Sequence, residues 1–382
     1  MISPFGIHQQ RFGSWIVNGR NYTNKLSAVI DAVKTGHWIH WDFNDQVFGQ
    51  YDWTREPSAS LSDLYGDRAR RLREQYAHVA VEFSGGADSW NLLYHFCRQN
   101  LPVDTVIHRY SDRLVKGAEN KTSENQWAEG KFQAWPSFQR LRELNPDLKW
   151  HTWNITEQIQ DYWSSANIDF SLHNNLQPGT ALKTPGHTDI NPAGIPDLPS
   201  SAMIYGLDKP VVEFRDGKFY LLFYDYQIIL RSVLERQLLG VGMQDILFYW
   251  DPANVDMLAK QGHIIMNWFR ANPDQLPLIN HKPSYLAIVN RLIYPEYQLL
   301  WQSEKPTGLF SQSHERWFTD DQSLTGSAQW HQVRRNHTDL LESVLAGTEY
   351  TKYLKADPAA NQQYKVLAAC PSNAYYLGSL KQ

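Results

Sequence analysis

Cysteine is nearly absent from this chain. Its 382 residues hold two, Cys97 and Cys370. They are too few for a disulfide framework, a four-cysteine zinc site or a cysteine-ligated iron–sulfur cluster, and their distance in sequence argues against a sulfur relay. No apolar run reaches membrane-spanning length, and residues 1–5 open no signal peptide. A cytoplasmic setting with no membrane partner is the expectation. An excess of one charge is missing too: 36 Lys and Arg against 40 Asp and Glu leave a net charge of -4. No global basic field draws the chain onto nucleic acid or an anionic membrane, although a local basic patch stays open. Internal repeats, low-complexity tracts and the GxxxxGK[ST] string of a Walker A loop do not occur.

Aromatic residues are plentiful, with 15 Trp and 20 Tyr. Many must be core, because aromatics bury large areas. The Trp-rich stretches 38–41 and 150–153 read first as strand core, with a base-stacking platform as the alternative. Hydrophobic residues at 42% and charged residues at 20% mark a globular rather than a disordered chain. The length admits two or three domains or one decorated α/β domain.

Periodicity organises the chain. Leu26, Val29, Ile30 and Val33 recur at helical spacing over residues 24–34, and Gly36 can end that helix. Residues 37–43 alternate like a strand. Residues 60–76 predict a helix capped by Ser60, with Asp63 at the capping-box position and Leu61, Leu64, Ala69, Leu72 and Tyr76 on one face. Arg68, Arg70, Arg71 and Arg73 read as its solvated face, with an anion site as the alternative. Strands at 78–83, 103–108 and 148–155 then alternate with helices at 88–100 and 124–144, the second broken or kinked at Pro136. This order predicts a parallel sheet with crossover helices. Residues 171–200 carry five prolines and three glycines and predict a lid, a binding loop or a disordered stretch. A short strand at 201–205 follows, then a hairpin of 211–214 and 218–223 through Asp216-Gly217. Beyond 226 the pattern is mostly helical, most clearly at 226–238, 252–271, 284–293 and 324–345. The expected division is a cap (1–77), a nucleotide-binding core (78–225) and a mainly helical C-terminal region (226–382).

The sharpest signal is Ser84-Gly85-Gly86-Ala87-Asp88-Ser89, between a predicted strand and a predicted helix. Paired glycines let the backbone turn tightly and approach a ligand. The unpaired N–H groups and dipole of the next helix make an anion site, to which the serine hydroxyls add donors. A carboxylate repels phosphate, so Asp88 suits a helix cap or a ligand for Mg²⁺ bridging phosphate oxygens. The alternative is a Gly-Gly turn with an Asp cap.

This motif resembles the PP-loop, SGGxDS, of the ATP pyrophosphatase (adenine nucleotide alpha hydrolase-like) superfamily, matching at Ser84, Gly85, Gly86, Asp88 and Ser89. The likeness spans about residues 78–155. It implies an α/β fold with a Rossmann-like parallel sheet of the HUP type and ATP across the C-terminal strand edges. It also implies that the loop, Ala87 included, holds the pyrophosphate of ATP with Mg²⁺. A substrate oxygen attacks the α-phosphorus, and a nucleophile then displaces AMP. Within the superfamily the chain most resembles asparagine synthetase-like synthetase domains, including uncharacterised ones encoded by tailed bacteriophages. On that likeness Lys209 stabilises charge on the α-phosphate or pyrophosphate, and Asp208 binds Mg²⁺ or a substrate amine. The alternative is a surface turn closed by Pro210. The strand end His108-Arg109-Tyr110 would lie near adenine and ribose, with Arg109 on phosphate and Tyr110 stacked on a base, or else be an ordinary loop start. Lys183, His187 and Asp189 would close as a lid that excludes water, or sit in a solvated or partner-bound loop.

The departures narrow the reading. The sequence opens Met1-Ile2-Ser3, without the catalytic cysteine of glutamine-dependent asparagine synthetases, so ammonia or a substrate amine is the expected nucleophile. Trp90 replaces the small hydroxyl residue that usually follows the loop. Sulfate-reductase relatives, deazaguanine synthases and thiolating tRNA enzymes need cysteines this chain lacks, and lysidine synthases tend to carry a basic tRNA-binding region. Glu82 lies inside a strand, where an unpaired charge is costly, so it should reach an edge or the site. Cys97 reads as a packed thiol, and His331 and His337, six apart, do not share a helix face. The expected function is an ATP-dependent adenylating ligase acting on a small-molecule or nucleic-acid acceptor, with a homo-oligomer left open. The alternatives are base modification in tRNA or phage DNA, and a non-catalytic nucleotide-binding or assembly module.

Overall fold

Asn18 and Gly19, both at positive φ, turn strand β1 (Ser14–Val17) back into β2 (Arg20–Tyr22). The computed structural model describes residues 13–22, 25–110, 130–154, 194–206, 209–225, 242–300 and 370–381. Helix α1 (Lys25–Thr35) leads to β3 (Ile39–Asp42), which pairs antiparallel with β1 to close a three-stranded sheet. Trp41 on β3 is fully buried, whereas Trp38 is 60% exposed. The expected strand core therefore holds at only one of those two tryptophans, because the strand begins after Trp38. A short helix α2 (Asp45–Phe48) precedes α3 (Leu61–Gln75). The Ser60 hydroxyl caps α3, accepting from the Asp63 N–H at 3.1 Å and donating to its carboxylate at 2.7 Å.

The core follows as β4 (His78–Glu82), α4 (Ala87–Arg98), β5 (Thr105–Tyr110), a π-helical turn at Gly130–Ala134, α5 (Trp135–Leu144), β6 (Trp150–Asn154) and β7 (Ser201–Tyr205). There is no break at Pro136. It sits in the first turn of α5, into which the run continues from the π-helical turn through Ala134 in helical dihedrals. The irregularity lies one turn earlier, in the π-helical residues that pass beside Gly85. Strands β8 (Val211–Arg215) and β9 (Lys218–Leu222) form the expected hairpin, with Asp216 and Gly217 both at positive φ as a type I′ turn requires.

Strand β10 (Gln244–Leu247) then joins β7 to complete a five-stranded, all-parallel sheet of order β10-β7-β4-β5-β6. It lies in the stretch expected to be mainly helical, so the sheet crosses position 225. Every residue of β7 and β10 is buried, as in a sheet covered on both faces. Helices α6 (Val255–Ala271) and α7 (Lys282–Ile293) follow, the first entered through a 3-10 turn at Pro252–Asn254. Strand β11 (Tyr375–Ser379) adds to β9 in a second antiparallel sheet, β11-β9-β8. The helices expected at 226–238 and 324–345, His331, His337 and loop residues 171–193 lie outside the described residues.

The described parts share one apolar core. Phe43 stacks on Trp41 at 4.7 Å and meets Phe223 at 5.0 Å, and Trp53 stacks on Tyr375 at 4.8 Å. A fully buried ion pair, Lys25 to Asp225 at 2.8 Å, ties α1 to the segment after β9, and the Cys370 N–H donates to the same carboxylate at 2.7 Å. Arg68 departs from its expected solvated face. It is 5% exposed and donates to the carbonyls of Leu247 and Phe248 and to Asp251, the last at 2.9 Å. The exit of β10 packs against that flank of α3, while Arg70 stays exposed in a surface pair with Asp67.

Candidate functional site

The chain leaves β4 at the centre of the parallel sheet and turns through Ser84, Gly85 and Gly86 into α4. Strands β5 and β6 continue from β4 to one side, β7 and β10 to the other. The connections therefore reverse direction between β4 and β7, which is the position where open α/β sheets form a ligand crevice at their C-terminal edges. Gly85 has φ +75°, and a Cβ there would lie 2.5 Å from the Ala134 α carbon. Only glycine fits both the conformation and the approach of the π-helical turn. Gln133, in that turn, donates to the Gly85 carbonyl at 2.8 Å.

The serines stitch the loop together. Ser89 Oγ accepts from the Ser84 N–H at 3.3 Å and donates to the Gly86 carbonyl at 3.2 Å, and Ser84 Oγ accepts from the Gly86 N–H at 3.3 Å. The first intrahelical bond of α4 runs from the Trp90 N–H to Gly86 O at 2.9 Å. The N–H groups of Ala87, Asp88 and Ser89 thus precede any intrahelical acceptor, at the positive end of the helix dipole.

Asp88 is not the helix cap; Gly86 occupies that position and makes no side-chain cap bond. The Asp88 carboxylate turns instead to residues from beyond β7. Lys209 Nζ lies 2.9 Å from Oδ1 and 3.0 Å from Oδ2. The Tyr294 phenol, just after α7, donates to Oδ1 at 2.7 Å. The Tyr249 phenol donates to the Asp88 main-chain carbonyl at 2.8 Å and accepts from Asn91 at 3.1 Å. Burial and the Asp88 charge push both phenols well above their usual range, so each stays protonated and donates. Gly206, at the exit of β7, presses on the start of α4: a Cβ there would meet Ser89 Cα at 2.6 Å.

The other expected residues lie elsewhere. His108 is buried against Trp150 with ring centroids 5.4 Å apart, and its Nδ1 lies 3.0 Å from the Phe83 carbonyl. Burial lowers its pKa, so the ring is neutral and Nδ1–H is the donor. Strand alternation sends Arg109 to the opposite face, where its Nε donates to Glu82 at 2.7 Å. That pair answers the cost of a charge inside β4. Tyr110 pairs in register with Asn154. Its side chain, with Asp208, Lys183, His187 and Asp189, lies outside the described residues. Trp90 stacks on Tyr94 at 4.8 Å and belongs to the packing of α4. Cys97 and Cys370 are buried, and desolvation pushes each thiol up to about 12.

Sequence reading did not find Tyr249, Tyr294 or Gln133. The first two lie 161 and 206 residues from Asp88, and no local pattern links them to the loop. A separate cleft of about 470 Å³ opens between α3 and the start of α6, lined by residues of mixed charge including Asp67, Arg70, Arg71 and Asp256.

Among the described residues no three His, Cys, Asp or Glu side chains gather as a metal site. Asp88 is the one carboxylate of the loop, and both of its oxygens face the Lys209 ammonium; Mg²⁺ commonly takes one or two carboxylates and draws its other oxygens from phosphate and water. No family model matches the chain, and no curated protein matches it. Among the described residues no helix is long and apolar enough to cross a membrane.

Proposed function

We propose that the chain is an ATP-dependent ligase that activates its substrate by adenylation, of the asparagine synthetase-like type. One convergence carries the reading. The SGGADS loop leaves the central strand, Lys209 follows the strand on the other side of the switch point, and the two meet at Asp88 within 2.9 Å. A helix N-terminus, two hydroxyls and an ammonium at the crevice of a parallel sheet are what a pyrophosphate needs.

In this reading the pyrophosphate end of ATP rests on the N–H groups of Ala87, Asp88 and Ser89 and on the Ser84 hydroxyl, and the Ser89 hydroxyl joins them when its proton leaves the Gly86 carbonyl. Lys209 offsets the charge that builds on the α-phosphate and the leaving pyrophosphate. Asp88, with Asp208, would hold Mg²⁺, which neutralises further charge on the phosphate oxygens. A substrate oxygen attacks the α-phosphorus as the bond to pyrophosphate breaks, and ammonia or a substrate amine then displaces AMP. Until phosphate arrives, Lys209 and Asp88 balance each other's charge.

The test supplies wild type, Asp88→Asn and Lys209→Met with ATP, Mg²⁺ and fractionated metabolite or nucleic-acid extracts, and measures AMP and pyrophosphate. AMP release that needs a metabolite fraction and fails in both variants supports the ligase. Release that needs tRNA or DNA redirects the reading to base modification. Calorimetry that finds no ATP binding overturns it.

A further inference from the structure

We propose that Tyr294 is a positioning residue: its phenol holds the Asp88 carboxylate in one orientation and, through it, the Lys209 ammonium at the mouth of the Ser84–Ser89 loop. The role of the ammonium rests on the adenylation reading; the positioning itself does not.

The argument is geometric. Lys209 sits at near-equal distance from both Asp88 oxygens, 2.9 and 3.0 Å. The ammonium therefore follows the plane of the carboxylate, and a rotation about the Asp88 side chain would carry it away from one oxygen. Tyr294 blocks that rotation by donating to Oδ1 at 2.7 Å. The phenol cannot drift. Its ring is 1% exposed and packs against Tyr249 and Tyr65 at centroid distances of 5.8 and 6.1 Å. Tyr65 is anchored in turn, donating to the Ile293 carbonyl at 3.2 Å and accepting from Gln261 at 2.9 Å. The main chain of Asp88 is held separately by Tyr249. The Asp88 side chain is 25% exposed, so water would satisfy it without any phenol. The tyrosine's contribution is therefore orientation rather than rescue of a buried charge. Lys209 Nζ also lies 5.7 Å over the Tyr294 ring, a contact that phenylalanine would keep.

Tyr294→Phe removes one hydroxyl and leaves the packing. Two readouts separate positioning from structure. The first needs no ligand: the ζ-ammonium protons of Lys209, assigned by their loss in Lys209→Met, are followed by ¹⁵N–¹H spectroscopy. Their exchange with water should quicken roughly tenfold in Tyr294→Phe and in Asp88→Asn, with no further change in the double variant. The second is calorimetric binding of inorganic pyrophosphate with Mg²⁺. Tyr294→Phe should weaken it roughly tenfold, and should add nothing in the Asp88→Asn background. An unchanged ammonium signal in Tyr294→Phe overturns the proposal, even if the melting temperature falls. If wild type binds no pyrophosphate while the ammonium still responds, the nucleotide reading fails and the positioning role stands.

Discussion

Gly206 and Ser89 touch through their backbones: a methyl group on Gly206 would lie 2.6 Å from Ser89 Cα and 2.7 Å from Ser89 N. Neither atom belongs to a flexible side chain, so the start of α4 would have to move. Gly206→Ala is expected to lower stability by about 1–3 kcal/mol and, on the proposed adenylation reading, to weaken ATP binding roughly tenfold by tilting the loop N–H groups. Urea unfolding and ATP titration read the two effects. Unchanged ATP affinity in a folded variant would detach the exit of β7 from the site.

The two partners of the loop ion pair should respond unequally. Asp88→Ala deprives a 6% exposed Lys209 side chain of this counter-charge, whereas Lys209→Met leaves a 25% exposed carboxylate that still accepts from Tyr294. Removing one partner of a buried pair costs several kcal/mol. Asp88→Ala is therefore expected to lose about 3 kcal/mol and Lys209→Met about 1 kcal/mol. Denaturant midpoints of the two variants check the order; a reversed order would mean that the ammonium is supported mainly by other groups.

Neighbouring arginines on α3 offer a contrast within one helix. Arg68→Ala strands two carbonyls and Asp251, and is expected to cost about 3 kcal/mol. Arg70→Ala breaks only exposed contacts and should stay within about 0.5 kcal/mol. Equal effects in thermal unfolding would contradict the packing of α3 against the β10 exit.

Acid should unfold the protein partly through His95. Burial beside Tyr65 and Tyr94 lowers its pKa from 6.5 to about 4. Between those values the unfolded chain binds the proton and the folded chain does not. Stability therefore falls as pH drops from about 6.5 toward 4, by about 1 kcal/mol per unit from this group. His95→Gln should flatten the slope of stability against pH over that window. The same slope in wild type and variant would assign acid sensitivity to other groups.

Features set by contacts between near neighbours are legible in the sequence. The capping pair Ser60 and Asp63, the turn at Asp216-Gly217 and the strand-loop-helix around Gly85-Gly86 all follow from contacts within a few residues, so their residue types announce them. Strand β10 escaped because it is four residues long and carries Gln244 and Asp245, which break an apolar pattern. It is buried nonetheless because the Tyr205 phenol donates to Asp245 at 2.7 Å. Arg68 departs from its sequence pattern for a related reason: charge argues for solvent until a distant carbonyl pair and a carboxylate are brought to it.

The loop and its helix were thus decided along the chain, where glycine φ, cap chemistry and apolar spacing act over one or two turns. The surroundings of Asp88 were decided only by folding. The parallel sheet sets β7 beside β4 and delivers Gly206 and Lys209 to the loop, and the packing of α6 and α7 brings Tyr294 onto Asp88, 206 residues away in sequence. Such contacts depend on how whole layers bury their apolar faces, and no short window of sequence carries that information.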